Sequence, residues 1–190
     1  MKKLLIVTAL LLWSANLAFA QYGLGTLTIK AAPQAVCSYV FPPPPAQVLA
    51  LYVVHVNHNG ATGVRFSALK PPCFNAVFLG DTPQFVEISG GSSQTGVTVT
   101  YGACLPAPVT VLIMNFLVLG TTPPCCYYHV LADPANPSGH IEAADCASQV
   151  WSISETPAII SATPNCYDGV CYPVPVDETT WGHVKAMFVD

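Results

Sequence analysis

The chain has 190 residues, 52% of them hydrophobic and only 8% charged, with a formal net charge of −4. Beyond the adjacent Lys2 and Lys3, the four remaining Lys and Arg are dispersed and cannot assemble a basic patch, which argues against nucleic acid and anionic membrane surfaces as partners. Eight cysteines in so uncharged a chain point to a domain held together by disulfides.

The first twenty residues have the form of an export signal. Met1-Lys2-Lys3 is a basic n-region, Leu4 to Trp13 an apolar h-region, and Ala18-Phe19-Ala20 a small-x-small cleavage site. Cleavage would leave Gln21 at the N-terminus of a protein that is secreted, extracellular or periplasmic. Leu4 to Trp13 is too short to cross about 30 Å of hydrocarbon as a helix, and so is Val109 to Leu119. No membrane span is therefore expected. Without Lys2 and Lys3, four basic residues (Lys30, Arg65, Lys70, Lys185) face ten acidic ones, a net charge of −6. Asn136-Pro137-Ser138 is a near-sequon blocked by its proline, which fits a bacterial export product.

From there on, proline and glycine punctuate the sequence at strand-length intervals. Residues 21–45 read as an N-terminal strand (Leu24 to Ala31) followed by a connector. Phe41-Pro42-Pro43-Pro44-Pro45 is expected to be polyproline II and to set that strand apart from the main sheets. Residues 46–176 read as a β-sandwich. Leu49 to Val56 and Val109 to Leu119 are continuous apolar runs, expected to be strands buried on both faces. Val64, Phe66 and Ala68 alternate with Gly63, Arg65 and Ser67, giving a strand with one wet face, and Val97, Val99 and Tyr101 behave likewise. Tyr127 to Ala132 and His140 to Ala144 read as a hairpin around Pro134 to Gly139. Gln149 to Ile153 and Ala158 to Ser161 are shorter strands. Residues 177–190 open with Asp177-Glu178-Thr179-Thr180, and Trp181, Val184 and Phe188 follow at helical spacing, predicting a C-terminal amphipathic helix or tail. The fold class expected is all-β: a disulfide-stapled, immunoglobulin-like β-sandwich with a short C-terminal helix.

In an oxidising compartment an even cysteine count implies a disulfide framework, although eight cysteines permit 105 pairings. The Asp168-Gly169 turn suggests Cys166 with Cys171. Cys73 and Cys104 bracket a pair of strands and are expected to join. Cys125 and Cys126 should point to opposite faces of a strand, one bonding Cys146 and the other Cys37.

Between Leu51 and Leu119 the chain resembles the cohesin-like and carbohydrate-module β-sandwiches of exported bacterial proteins. The resemblance rests on Leu51-Tyr52-Val53-Val54-His55-Val56, the Gly-Val-x-Phe-x-Ala strand at Gly63 to Ala68, Thr95-Gly96-Val97-Thr98-Val99 and the apolar Val111 to Phe116. Thr180-Trp181-Gly182-His183-Val184-Lys185 is similar to tails of exported bacterial proteins. This likeness implies a sandwich fold and a habit of binding, and carries over no catalytic residues.

Motifs for the common chemistries are missing: there is no G-x-S-x-G, H-E-x-x-H, phosphate-binding loop or C-x-x-C, and no cofactor or metal is called for. Glu87, Asp133, Glu142, Asp145 and Glu155 could supply the paired carboxylates of a small hydrolase, or could simply solubilise turns. His55 and His58, with His129 or His140, invite a metal reading. On a regular strand, however, positions 55 and 58 face opposite ways and cannot chelate unless a bulge intervenes. Tyr127, Tyr128, Trp151, Tyr167 and Tyr172 are the best candidates for a binding face, since aromatic rings bring much contact area at low entropic cost. One member of the Tyr127–Tyr128 pair should point into the core, and Trp151 sits in an alternating strand that would bury it. The reading is a non-enzymatic binding or structural cell-surface protein whose partner is a protein or a glycan. A carboxylate-dependent hydrolase and a fimbrial or matrix subunit are the alternatives.

Overall fold

Alternating burial organises the chain into short strands joined by Pro/Gly turns, with no helix among the described residues. A computed structural model describes residues 24–85 and 87–161. The expected signal (1–20), the Cys166–Cys171 bridge, Tyr167, Tyr172 and the helix at 177–190 lie outside the described residues. The strands are β1 (Leu24–Lys30), β2 (Tyr39–Val40), β3 (Val48–His58), β4 (Ala61–Phe66), β5 (Ala76–Pro83), β6 (Glu87–Gly90) and β7 (Val97–Leu105). They continue as β8 (Val109–Val118), β9 (Cys126–Tyr128), β10 (Glu142–Ala144), β11 (Val150–Ser152), β12 (Ser154–Thr156) and β13 (Ala158–Ile160).

Two five-stranded sheets, ordered β12-β1-β3-β8-β5 and β11-β10-β4-β7-β6, pack as a β-sandwich, and a small sheet β2-β13-β9 adjoins them. The core lies between the inner faces: Leu27 and Ile29, Leu51 and Val53, and Leu112, Met114 and Phe116 from one sheet, with Val64, Phe66, Val97 and Val99 from the other. Phe116 is the aromatic centre, 5.3 Å from Phe74, 5.4 Å from Phe78 and 6.1 Å from Tyr128 between ring centroids.

The strand expected to have one wet face forms as β4, with Val64 and Phe66 buried and Arg65 partly exposed, but Gly63 and Ser67 of its outward row are buried as well, Ser67 bridging to Leu131 and donating to Ala132 O at 2.8 Å. The run Val109 to Leu119 is not buried on both faces. In β8, Val109 and Val111 are buried around a half-exposed Thr110; Leu112, Met114, Phe116 and Val118 are buried around Ile113, Asn115 and Leu117. The change of phase has a local cause. Val53 pairs with Leu112 but Val54 with Thr110, so Val111 is the extra residue of a bulge.

Three connections differ from the sequence reading. β1 does not stand apart but pairs antiparallel with β3 from Leu24–His58 to Lys30–Tyr52. The proline run ends in a turn in which Ala46 has φ 65° and its N–H donates to Val118 O at 2.8 Å, returning the chain into the same sheet. The expected hairpin of Tyr127 to Ala132 with His140 to Ala144 does not form, because β9 pairs with β13 while β10 lies between β4 and β11. The disulfides join Cys73 to Cys126 and Cys104 to Cys146. Those bonds replace both the expected Cys73–Cys104 bridge and the expected bond from Cys146 to the Cys125–Cys126 pair. Cys125 is disulfide-bonded as well. The cause is topological: β9 belongs to the third sheet, beside the loop that carries Cys73, and Cys146 follows β10 toward the end of β7.

Tyr128 ties the third sheet to the sandwich. Its ring is fully buried, its hydroxyl donates to Ala68 O at 2.8 Å, and Gln94 Nε2 donates to it at 3.2 Å. Burial pushes the phenol's pKa well up, so it remains a neutral donor. Tyr128→Phe should lower stability by about 1–2 kcal/mol, because the Ala68 carbonyl loses a buried partner. Urea unfolding would show this as a lower midpoint at unchanged slope. No helix of the described residues is long and apolar enough to cross a membrane.

Candidate functional site at the Trp151 groove

Two loops and three strand ends shape an open groove of about 990 Å³ at the side of the sandwich. It is lined by Leu24, Gly25 and Thr26 of β1, the β3–β4 turn, the loop that follows β10, and residues 151–154. The turn Asn57-His58-Asn59-Gly60 is built for a tight return. Asn57 takes φ 59°, a conformation Asn tolerates, and Gly60 lies against the Cys104–Cys146 bridge. A Cβ on Gly60 would stand 2.6 Å from Cys146 Sγ and 2.8 Å from Cys104 Sγ, so the disulfide packs directly under the turn.

Trp151 forms one wall, 41% exposed. In register it opposes Ala143, which opposes the core residue Val64, so its side chain follows the inward row as the alternation predicts. It is not buried, because β11 is the edge strand and the row runs out past the end of the core. Its indole is fixed nevertheless. Trp151 Nε1–H donates to Asp145 Oδ2 at 3.1 Å, while Asp145 Oδ1 accepts from the N–H groups of Ala147 and Gln149, each at 2.8 Å. Thr62 Oγ1 donates to the Asp145 carbonyl at 3.0 Å, binding the loop to β4. The Gln149 N–H, then the Trp151 and Ala147 N–H groups, hold the Asp145 carboxyl below the usual carboxylate range. Asn57 and Asn59 are exposed on the turn, and Thr26 Oγ1 meets Ser154 Oγ at 3.0 Å. The groove thus offers one immobilised aromatic face surrounded by amides, hydroxyls and an engaged carboxylate, with no Lys or Arg among the described residues of its lining.

Neither Tyr127 nor Tyr128 is brought to this place. Tyr127 is 44% exposed, but on β9 in the third sheet, with its ring centroid 6.3 Å from that of His129. Tyr128 is the inward member of the pair and belongs to the core.

The histidines correct a second expectation. His55 and His58 do not face opposite ways but stack, with ring centroids 3.9 Å apart and planes at 27°. The left-handed Asn57 between them breaks the strand alternation. His55 is completely buried, with Nε2 2.5 Å from Leu24 O and Nδ1 3.1 Å from the Tyr101 hydroxyl. Because the carbonyl can only accept, Nε2 carries the proton and Tyr101 donates to Nδ1. Both nitrogens are committed, so His55 has no lone pair free for a metal. Burial, reinforced by the neighbouring His58, lowers the His55 pKa to about 4. No group of three or more His, Cys, Asp or Glu able to hold a metal occurs among the described residues.

Three of the four candidate carboxylates whose side chains are described are engaged. Asp133 accepts from Arg65 Nε at 2.7 Å, which holds it below the usual carboxylate range; Glu155 meets His129 at 2.9 Å; Asp145 holds Trp151. Glu142 stands opposite Arg65 in the β10–β4 register. The groove itself, which joins β1, the β3–β4 turn and β11, was not found from the sequence; its one local signal is the Asn-x-Asn-Gly turn.

No family model matches the chain, and no curated protein matches it. Among solved structures it is similar to the sixth cohesin of scaffoldin B from Acetivibrio cellulolyticus, seen in complex with a dockerin. That likeness has 13% identity and a TM-score of 0.48, and covers 74% of this chain and 99% of that one. It is also similar to the structure of a type I cohesin–dockerin complex from Clostridium thermocellum, at 12% identity and a TM-score of 0.47, covering 72% and 99%. A third is the cohesin module of a family 33 glycoside hydrolase from Clostridium perfringens, at 9% identity and a TM-score of 0.44, covering 73% and 98%. These similar structures are cohesin modules, one of the kinds of sandwich that the sequence resembles between Leu51 and Leu119.

Proposed function

We propose that the protein is an exported, non-catalytic binding module that takes a cell-surface ligand in the Trp151 groove. The observation that carries this reading is the Asp145–Trp151 pair. A large aromatic ring left 41% exposed would ordinarily be mobile, yet here its N–H is anchored to a carboxylate that the backbone holds in turn. Such preorganisation lowers the entropic cost of binding, which is what a recognition residue requires. Export is supported by the two bridges within the sandwich, since such disulfides persist in oxidising compartments.

The test compares immobilised wild-type protein with Trp151→Ala and Tyr127→Ala, each incubated with cell-envelope material and culture supernatant. Wild type and Tyr127→Ala should retain the same ligand, and Trp151→Ala should lose at least about tenfold in retention, as truncation of a central aromatic anchor does. Equal retention by all three proteins overturns the site. Release of cleaved product by wild type but not by a Glu142→Gln or Asp145→Asn variant overturns the non-catalytic reading.

A further inference from the structure

Resting on that binding reading, we infer that the ligand in the Trp151 groove is a neutral oligosaccharide. The lining decides between ligand classes. A protein helix docks through an apolar strip repeated over several turns. Here the large apolar side chains in the lining are Trp151 and the half-buried Leu24 and Ile153. An anionic ligand needs cations, and among the described residues no Lys or Arg lines the groove. What it does offer is a rigid indole face with planar amides at Asn57 and Asn59 and hydroxyls at Thr26 and Ser154. A pyranose has the complementary surface. Its C–H face is apolar and stacks on an aromatic ring, while its equatorial hydroxyls both donate and accept, as side-chain amides and hydroxyls do. At about 990 Å³ the groove lies at the upper end of ligand-site volumes and is open, so it suits several linked sugar rings better than one. Asp145 acts as a positioning residue: both of its oxygens are used to hold the loop and the indole.

The experiment titrates the protein by calorimetry with cellohexaose, mannohexaose and chitohexaose, using an oligogalacturonate as the acidic comparison. The Trp151 indole N–H resonance is followed by NMR in parallel. Saturable binding of at least one neutral hexasaccharide is expected, with movement of the Trp151 resonance and affinity about tenfold or more above that for the oligogalacturonate. Trp151→Ala should weaken that binding about tenfold or more, and Trp151→Phe, which keeps a ring face, should recover most of it. Binding unchanged in Trp151→Ala overturns the inference, as does preference for the acidic oligosaccharide. So do indole contacts in the free protein to residues 21–23, which would mean the chain fills its own groove. Absence of glycan binding together with a purified protein ligand that Trp151→Ala fails to hold overturns the sugar assignment while leaving the binding module intact. Absence of any Trp151-dependent ligand overturns both.

Discussion

Acidification from pH 7 to pH 4 should remove about 3 kcal/mol of folding stability, with His55 as the dominant cause. The ring is fully buried and neutral, donating to Leu24 O and accepting from Tyr101. A second proton at Nδ1 would oppose the Tyr101 hydrogen bond and place a charge against the His58 ring, 3.9 Å away. Burial above all, then His58, therefore lowers its pKa from 6.5 to about 4, against an opposing contribution from the Leu24 carbonyl. The unfolded chain accepts its proton near 6.5 and the folded chain only near 4. Stability is thus complete above the unfolded value and is lost as the pH falls between the two. His58, its pKa also lowered chiefly by burial, adds to the loss in the same direction. Asp133, whose pKa the Arg65 hydrogen bond depresses, contributes stability that disappears only below the usual carboxylate range. The two windows are therefore separable. Urea unfolding in half-unit pH steps should fall through the histidine window, and His55→Gln, which cannot titrate, should flatten most of that slope. A wild-type profile that is level from pH 7 to 4.5 would contradict the buried neutral pair.

How much of this was legible in the sequence depends on whether the cause was local. Val64, Phe66 and Ala68 alternate with Gly63, Arg65 and Ser67, and all three of the apolar set are buried as expected, although Gly63 and Ser67 are buried too. The run Val109 to Leu119 was misread because Ile113 and Leu117, on the outer row, are as apolar as Met114 and Phe116 on the inner one. Composition cannot separate two faces that are both apolar; only the facing sheet does. Trp151 followed the inward row but remained exposed, since edge position is set by topology and not by alternation. The His55–His58 stack turned on one left-handed residue, Asn57, in a turn that was recognised without its consequence for the flanking rings. The two cysteine pairings described in the sandwich are non-local, spanning 53 and 42 residues, and nothing within a strand-length window distinguishes them.

Those two bridges lead to the other large expected effect. In the chain-entropy account each restricts the unfolded state by an amount set by loop length, about 4 kcal/mol for loops of this size. Between separations of 53 and 42 residues the entropic difference is only about 0.2 kcal/mol, so loop length alone makes the bridges nearly equivalent. Burial makes them unequal. Cys126 is completely buried, packed in the core with Tyr128, and its strand is three residues long; Cys104 and Cys146 are both exposed. Replacing the pair Cys73 and Cys126 by alanine should therefore cost the full entropic contribution plus a cavity where a buried sulfur stood. Replacing Cys104 and Cys146 should cost the entropic contribution alone. The first double variant is expected to be the less stable by at least about 1 kcal/mol. It should also show faster amide exchange across β9 and β13, where the third sheet depends on the bond. Measured denaturant midpoints decide the matter. Equal losses in the two variants would mean that chain entropy dominates, and losses below about 1 kcal/mol in both would mean that the sandwich core, not its disulfides, holds the fold.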